Sequence, residues 1–370
     1  MDFFATAAKG TEPALRDELR ELRMVGVRAD RGGVHFAGEL ADGARACLHS
    51  RVAVRVLAWR GAFDVRGEAE LYAAMRSLEW RHFLSQKHTL AVKATCRSSK
   101  MTHSQFIAQR SKDAIVDQLR EDLGTRPSVS LEDPDVLVVV HLVKDRADVY
   151  VDLAGEPLHR RGWRTRIGEA PLKETLAAAM LRLAGWDRKK PLVDPMCGAG
   201  TIAIEAATWA RGIAPGLGRA KFGFERWASH GEAMRRTMHE MRSEARAAIR
   251  AETTSPPIFA SDRDPKLVEL TQANAKDAGV ELVLAARDVR LVAPTEPPGF
   301  VVTNPPYGER LDVERPFFRE MAHALLALQG HRLAILAGTS DIEQAFNKKP
   351  DKWWALFNGN IECRLLTYRV

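Results

Sequence analysis

The sequence contains few cysteines and lacks the segments that would place a protein in a membrane. Its 370 residues include four cysteines, and none of them forms a CxxC pair. Scattered cysteines argue against a zinc ribbon or a disulfide framework and favour a reducing compartment. No apolar run is long enough to span a bilayer, and the N-terminus lacks the basic segment and apolar core of a signal peptide. We therefore expect a cytoplasmic protein that is not bound to a membrane.

Motifs for metal or triphosphate binding are also missing. HExxH does not occur, and His82, His88 and His103 have neither carboxylate neighbours nor ligand spacing. The glycine turn at 197–201, CGAGT, has no lysine after it and so does not match a Walker loop. We expect neither a metal ion nor a bound triphosphate.

Acidic residues are absent from the stretch 81–112, although this stretch holds seven lysines and arginines. A second basic cluster surrounds Trp163 at 159–168, while a third, at 235–250, is interleaved with glutamates and is as well explained by a solvated helix face. The formal net charge is +7. Single-signed clusters with aromatic neighbours indicate a polyanion-binding surface. The residues predicted to bind RNA are Lys93, Arg97, Lys100, Arg110, Arg160, Arg161 and Arg164.

Three domains are predicted, because the chain is too long for one ordinary domain. Residues 1–60 and 61–157 each mix amphipathic helical segments with strand-like ones, which is typical of small α+β units. From 158 to 370, short apolar strands alternate with helices, which predicts a mostly parallel, doubly wound α/β sheet with an insertion at 211–257. Aromatic residues of the insertion, at 222–227, form either a small core or a base-stacking surface, and we favour the core.

Several element boundaries carry clear local signals. Gly124 and Gly185 are predicted to end helices, and Pro171 and Asp264 to begin them, Pro171 as the first helical residue and Asp264 as an N-cap. The segments 135–143 and 147–153 are predicted to pair as a hairpin across the polar turn 144–146.

Acidic residues follow three consecutive predicted strands of the α/β domain. The first strand ends in DPMCGAGT at 194–201, the second in Asp262 and the third in Asp288. Glycines let the backbone approach a ligand closely, and the acids can accept hydrogen bonds from ribose and adenine. The set therefore predicts an adenosyl ligand without phosphates. The alternative is that Asp262 and Asp288 only cap helices and turns. Asp264 could share the ribose role, although an N-cap is the weaker candidate, and we expect Cys197 to pack rather than react.

The fourth predicted strand ends in the motif TNPPYG at 303–308. The Asn304 side-chain oxygen and the Pro305 carbonyl can both accept hydrogen bonds from one exocyclic –NH2 group. Such an amine is a poor nucleophile while its lone pair is delocalised into a ring, and fixing its hydrogens restores the lone pair. Tyr307 can stack on that ring. The predicted catalytic residues are Asn304, Pro305, Pro306 and Tyr307, acting by positioning and electrostatics.

Taken in order, these motifs resemble the class I S-adenosylmethionine-dependent amino-methyltransferases. The extension GER at 308–310, the insertion GIAPGLGRAKFGFERW at 212–227 and the segment NGNIECRLL at 358–366 more specifically resemble the THUMP-containing bacterial ribosomal large-subunit RNA guanine-N2 methyltransferases. The resemblance implies a ferredoxin-like piece, a THUMP RNA-binding domain and a Rossmann-like methyltransferase domain. It also implies S-adenosyl-L-methionine as cofactor, with the region 168–178 closing over its methionine end. The expected cofactor-binding residues are Pro171, Lys173, Asp194, Pro195, Cys197, Gly198, Gly200, Thr201, Asp262, Asp288 and Asn304.

The resemblance implies formation of N2-methylguanosine in 23S ribosomal RNA, on a base that is single-stranded or extruded. Two alternatives stay open: the same chemistry on transfer RNA, and a non-catalytic RNA-binding or ribosome-assembly factor. The motif alone also occurs in enzymes that methylate adenine N6 or glutamine. We expect a monomer, and no second methyltransferase domain in a chain that ends at Val370.

Overall fold

The computed structural model describes residues 1–124, 126–164, 172–307 and 315–370. The strands in this part of the chain are β1 (Asp2–Thr6), β2 (Val25–Asp30), β3 (Gly33–Ala37), β4 (Arg55–Asp64), β5 (Thr89–Arg97), β6 (Ser128–Val129), β7 (Val136–Val143), β8 (Arg146–Asp152), β9 (Leu192–Asp194), β10 (Ile258–Asp262), β11 (Val283–Ala286), β12 (Phe300–Thr303), β13 (Arg332–Ala337), β14 (Lys352–Asn358) and β15 (Ile361–Arg369). The α-helices are α1 (Glu12–Glu21), α2 (Leu40–His49), α3 (Glu68–Arg76), α4 (Ser104–Leu123), α5 (Glu174–Leu183), α6 (Thr201–Ala210), α7 (Glu232–Ala247), α8 (Pro265–Asp277), α9 (Arg315–Leu326) and α10 (Ser340–Phe346).

One continuous sheet runs through the N-terminal 157 residues, in the order β2-β3-β1-β4-β8-β7-β5-β6. The antiparallel pair β4–β8 joins the two predicted α+β units, with Trp59 opposite Tyr150. Helices α1 to α4 bury their apolar sides in one core on a single face of this sheet. The opposite face carries a separate small cluster around Phe4 and Leu137. The sheet therefore has one covered face and one open face.

The second sheet has the order β11-β10-β9-β12-β13-β15-β14. The neighbours from β11 to β13 are parallel, whereas β13–β15 and β14–β15 are antiparallel. Alternate residues of β12 enter two different cores, Val302 the one shared with α5 and α6 and Val301 the one shared with α9. Both faces are thus covered, as a parallel sheet requires. The prediction of a mostly parallel, doubly wound sheet is confirmed, and its crevice lies at the carboxyl ends of β9 to β12.

Local signals are confirmed at most of the predicted boundaries. The β7–β8 hairpin forms as expected, and Lys144 and Asp145 both have positive φ, as in a type I′ turn. Gly124 ends α4 in a left-handed conformation, and the Asp264 side chain accepts a hydrogen bond from the Lys266 N–H at the start of α8. One boundary is wrong: α5 begins at Glu174 instead of position 171, and Pro171 lies outside the described residues.

The insertion packs as core, as we favoured. Phe222, Phe224 and Trp227 are buried, and the Trp227 ring meets that of Phe83 edge to face at 4.9 Å. Helix α7 also contributes Met238 to the core of the N-terminal sheet. The insertion therefore packs its aromatic side chains into the core of the N-terminal sheet.

Candidate functional site

The glycine turn after β9 has the geometry that its sequence predicts. Gly198 and Gly200 both have positive φ, +54° and +84°, and α6 begins at Thr201. A Cβ on Gly200 would lie 2.7 Å from the Thr271 side chain, so the turn needs glycine there for both conformation and space. The Thr271 hydroxyl donates to the Gly198 carbonyl at 2.8 Å. The backbone at Gly198 itself faces open space, since a Cβ there would have no atom of the described residues within 4 Å.

Acids also lie at the carboxyl ends of the next two strands, and the first of them contacts the glycine turn. Asp262 ends β10, and its carboxylate accepts the backbone N–H groups of Gly198 at 3.1 Å and Asp264 at 3.1 Å. Asp264 caps α8, as the sequence indicated. Asp288 caps a short 3-10 helix and is held by Arg290, whose guanidinium keeps the pKa of that carboxyl below its usual range. Asp288 thus does act as a cap, as the alternative from the sequence stated. The carboxylates of Asp262 and Asp288 nevertheless keep lone pairs that a ligand can use.

Asp194 joins the glycine turn to the strand of the Asn-Pro-Pro motif. The Thr303 hydroxyl on β12 donates to the buried Asp194 carboxyl at 2.9 Å. Burial raises the pKa of Asp194 to about 7. Asp194 therefore has a structural role: it fixes β9 against β12 through Thr303, the residue before Asn304. Pro195, next to Asp194, is buried.

Asn304 presents a buried acceptor. Its Oδ1 is shielded from solvent and has no hydrogen-bond partner among the described residues. A buried carbonyl oxygen without a partner costs about 1–3 kcal/mol, so such atoms are rare unless a ligand satisfies them. Pro305, which follows, is buried and has no N–H to donate. The amide oxygen thus remains available at the carboxyl end of β12.

Tyr307 is fixed by the terminal hairpin. Its hydroxyl accepts a hydrogen bond from Asn358 Nδ2 at 2.9 Å and is contacted by Cys363 Sγ at 3.6 Å. Its ring lies against Gly338, where a Cβ would come within 2.3 Å of Tyr307 Cδ2. Burial raises the pKa of the Tyr307 hydroxyl, so it stays protonated. Ring and hydroxyl are held from two sides.

The remaining cofactor candidates have different surroundings. Lys173 is exposed at the N-cap position of α5, and Pro171 lies outside the described residues together with the GER extension at 308–310. Cys197 is buried, and burial raises the pKa of its thiol, which fits the packing role expected from the sequence. The Thr201 hydroxyl accepts a hydrogen bond from Arg164 at 2.6 Å.

Two predicted RNA-binding arginines are corrected by the structure. Arg161 is 3% exposed, and its guanidinium contacts Glu205 on α6 and the carbonyls of Leu158 and Arg51. Arg164 is largely buried between Glu174 and Thr201. The prediction that these two contact RNA is therefore wrong, because buried acids on α5 and α6 hold both guanidinium groups inside the protein.

The other five predicted RNA-binding residues differ in their partners. Lys93, Arg97 and Lys100 are exposed, with no ion pair among the described residues. Arg110 is paired with Glu68 at 2.8 Å and lies over the Tyr72 ring, and Arg160 is paired with Glu156 at 2.7 Å.

Several site residues were not anticipated from the sequence. Thr303, Gly338, Asn358 and Thr271 contact predicted site residues from other strands and helices. Thr303 adjoins the motif and could have been found from that position. The others are brought in by folding alone. Among the described residues, no cluster of three or more histidine, cysteine or acidic side chains could hold a metal ion, and no helix is both long and apolar enough to cross a membrane.

The strand order, the glycine turn and the acids at the ends of β9 and β10 define a class I methyltransferase fold, preceded by ferredoxin-like and THUMP domains. Family models match accordingly: "RMKL-like, methyltransferase domain" over residues 161–367, THUMP over 65–152 and an "RlmL ferredoxin-like domain" over 2–57. The chain belongs to this RMKL-like methyltransferase family.

Curated relatives include the ribosomal RNA large subunit methyltransferases K/L of Methylococcus capsulatus and Syntrophotalea carbinolica, 42% and 40% identical over all of this chain. The chain spans about half the length of these relatives, 51% and 53%. Solved structures similar to it include the putative methyltransferase SMU.472 complexed with SAH, with 32% identity, a TM-score of 0.89 and coverage of 100% of this chain and 97% of that one. Another is a predicted N6-adenine-specific DNA methylase from Listeria monocytogenes, with 30% identity, a TM-score of 0.89 and coverage of 99% and 95%.

Proposed function

We propose that this chain is an S-adenosylmethionine-dependent RNA methyltransferase that forms N2-methylguanosine in large-subunit ribosomal RNA. The observation that carries the proposal is the buried Oδ1 of Asn304 at the end of β12, which has no hydrogen-bond partner in the described part of the chain. It lies in the crevice of a methyltransferase fold and next to Thr303, which is bonded to Asp194 of the glycine turn strand.

The residues around the glycine turn fit an adenosyl ligand. Open space faces Gly198, and the α6 N-terminus offers free N–H groups. The Asp262 carboxylate would accept hydrogen bonds from the ribose hydroxyls, and the Asp288 carboxylate would accept one from the adenine edge. The bound cofactor supplies an electrophilic methyl group. That a similar solved methyltransferase is complexed with SAH supports this assignment.

The protein's own part in the reaction is to hold the target amine. Asn304 Oδ1 and the Pro305 carbonyl accept its two hydrogens, which localises the nitrogen lone pair toward the methyl group. Tyr307, held at its hydroxyl by Asn358, presents its ring as a wall for the base. Catalysis by position and preorganised acceptors needs no strong general base.

The choice of guanine in ribosomal RNA rests on likeness. Relatives that match the whole chain are named as ribosomal RNA methyltransferases, and the THUMP match supports RNA as substrate. The Listeria structure is titled as a predicted N6-adenine-specific DNA methylase, so adenine is the competing base. Transfer RNA is the competing RNA.

Methyl-labelled cofactor separates these substrates. The protein is incubated with ribosomal RNA, transfer RNA and DNA, and the products are hydrolysed and identified as nucleosides. We expect N2-methylguanosine from large-subunit RNA. Label in N6-methyladenine, in transfer RNA only, or in no nucleic acid would contradict the proposal. The Asn304→Ala variant should lose turnover by about 10²–10³-fold, as when one preorganised polar group is removed. Its cofactor affinity by calorimetry should stay near that of the parent.

A further inference from the structure

The open face of the N-terminal sheet forms a trough. Seven of its strands, from β2 to β5 across the sheet, line an open depression of about 1170 Å³. Neighbouring strands lie about 4.8 Å apart, so the trough extends about 29 Å from β2 to β5. The four helices of this half of the chain all pack on the other face. No described element covers the trough.

Strand pairing places aromatic rings along its floor. Trp59 lies opposite Tyr150, and Phe4 lies opposite His35. Tyr150 is also 5.4 Å from the His141 ring, centroid to centroid. The rings of Phe4 and Tyr150 are buried in the floor, whereas Trp59 and the two histidines are half-buried and line the trough. Base-sized rings can stack on such a sheet surface.

Two of the three acids that line the trough, Asp30 and Asp148, are already engaged. The Asp30 carboxylate accepts the Arg31 N–H and lies 3.3 Å from His35 and 3.7 Å from Arg28. Asp148 accepts a hydrogen bond from the Trp59 indole at 3.0 Å. Asp2 is the remaining acid among the residues that line the trough.

Apart from Arg28, which is paired with Asp30, three cations on this face have no ion pair among the described residues. Arg31 and Arg97 line the trough, and Lys93 follows on the same face of β5 two residues before Thr95, which also lines it. All three are exposed and have no ion pair among the described residues.

The helix-covered side shows the opposite pattern. Most cations of the helix side in the region 76–126 are paired with an acid, at 3.1 Å for Arg81–Asp122 and 2.8 Å for Arg110–Glu68, whereas Lys87 and Arg120 are exposed with no ion pair among the described residues. Arg76, Lys112 and Arg126 are also paired with acids. In the basic stretch 81–112, the paired cations Arg81, Arg110 and Lys112 therefore lie on the helix side, and Lys93 and Arg97 on the sheet face are unpaired among the described residues.

We propose that the trough binds a single-stranded segment of RNA, with bases against Trp59, His35 and His141 and phosphates on Arg31, Lys93 and Arg97. This rests on the proposed function, because it names the part of the substrate that the N-terminal half holds while the target base lies at Asn304. A concave floor with aromatic rings fits splayed bases, which a duplex does not offer.

The test compares two triple variants of the full chain that remove equal charge. The first is Arg31→Ala/Lys93→Ala/Arg97→Ala on the trough, and the matched control is Arg81→Ala/Lys112→Ala/Arg126→Ala on the helix side. Binding of a fluorescent single-stranded RNA oligonucleotide and of the same sequence in a duplex is measured from 50 to 200 mM salt. Cofactor affinity and thermal unfolding verify that each variant is folded.

The trough variant should lose about 100-fold in single-strand affinity at 100 mM salt, and its log–log salt slope should fall by about 2, as expected for three phosphate contacts. Trp59→Ala should cost about 5- to 100-fold with an unchanged slope. The control should bind as the parent does. Equal losses in both triple variants, a loss in the control only, or tighter binding of the duplex would overturn the inference.

Methyl transfer measured in parallel separates this inference from the proposed function. If the parent methylates large-subunit RNA but the trough variants bind and react normally, the trough is not the RNA site and the proposed function stands. If RNA binds in the trough but no methyl group is transferred, the proposed function fails and the inference stands.

Discussion

The hydrogen bond between Tyr307 and Asn358 gives a sharp prediction about how the target base is held. Tyr307→Phe keeps the ring and removes the acceptor of Asn358 Nδ2, 2.9 Å away, and of Cys363 Sγ. Asn358→Ala removes the donor from the other side. Both variants remove the hydrogen bond that holds the hydroxyl end of the Tyr307 side chain. Neither variant changes Asn304.

The size of the effect follows from burial and distance. A fully buried donor that loses its acceptor costs about 1–3 kcal/mol, and Asn358 is half-buried, so Tyr307→Phe should lower the free energy of unfolding by about 1 kcal/mol, the lower end of that range. A base wall displaced by about 1 Å costs up to 100-fold in rate, so kcat should fall about 10- to 100-fold. Gly338→Ala should be at least as severe, because its Cβ would lie 2.3 Å from Tyr307 Cδ2 and must push the ring away.

The assay is a double-mutant cycle on kcat and on the KM for RNA. If Asn358 acts through the Tyr307 hydroxyl, the double variant should be no slower than either single variant, and the KM for S-adenosylmethionine should not change. Tyr368→Phe is the matched control, because Tyr368 is a buried tyrosine stacked on Phe346 in the same sheet's core, away from Asn304. Additive losses in the cycle, or an Asn358→Ala variant with full activity, would refute this reasoning.

Three further predictions concern the rest of the site. Burial raises the folded-state pKa of Asp194 from 3.8 to about 7, so the folded state retains a proton that the unfolded chain loses, and stability falls as pH rises through this window. In thermal unfolding, Asp194→Asn should therefore raise the free energy of unfolding by at most about 4 kcal/mol at pH 8 and by at most about 2 kcal/mol at pH 5, and an equal gain at both would contradict the assignment. Arg161→Met should cost about 3–5 kcal/mol in denaturant unfolding, because it leaves Glu205 buried with Arg51 alone; a loss below 1 kcal/mol would disprove the role of the pair. Gly200→Ala should weaken cofactor binding in calorimetry, since φ is +84° there and its Cβ would strike a neighbouring side chain; unchanged affinity would show that the turn tolerates a Cβ.

The site was predictable where its residues follow strands in sequence. Asp194, Asp262 and Asn304 each come directly at or after a short apolar strand, and parallel strands bring their carboxyl ends to one edge. The order of these residues along the chain was therefore enough to place them together.

The contacts that support the site were not predictable, because they join distant segments. Asn358 lies 51 residues from Tyr307, on a strand that we did not identify although KWWALFN at 352–358 is a short apolar run. Arg161 resembles a surface arginine until Glu205, 44 residues later, is seen to bury it. The single eight-stranded sheet was missed for the same reason, since no local signal pairs β4 with β8.

The buried cluster of Arg51, Arg161 and Glu205 connects different parts of the chain, in addition to its contribution to stability. Arg51 comes from the N-terminal sheet's half of the chain and Arg161 from the linker, and both clamp α6, the helix that begins at the glycine turn. The cluster therefore joins the half of the chain that carries the trough to the domain that carries Asn304. Under the proposed function, this connection sets the distance between the RNA segment bound in the trough and the base at Asn304. Only a base at that distance from the bound single strand can enter the crevice, so the distance between the two sites would select the nucleotide.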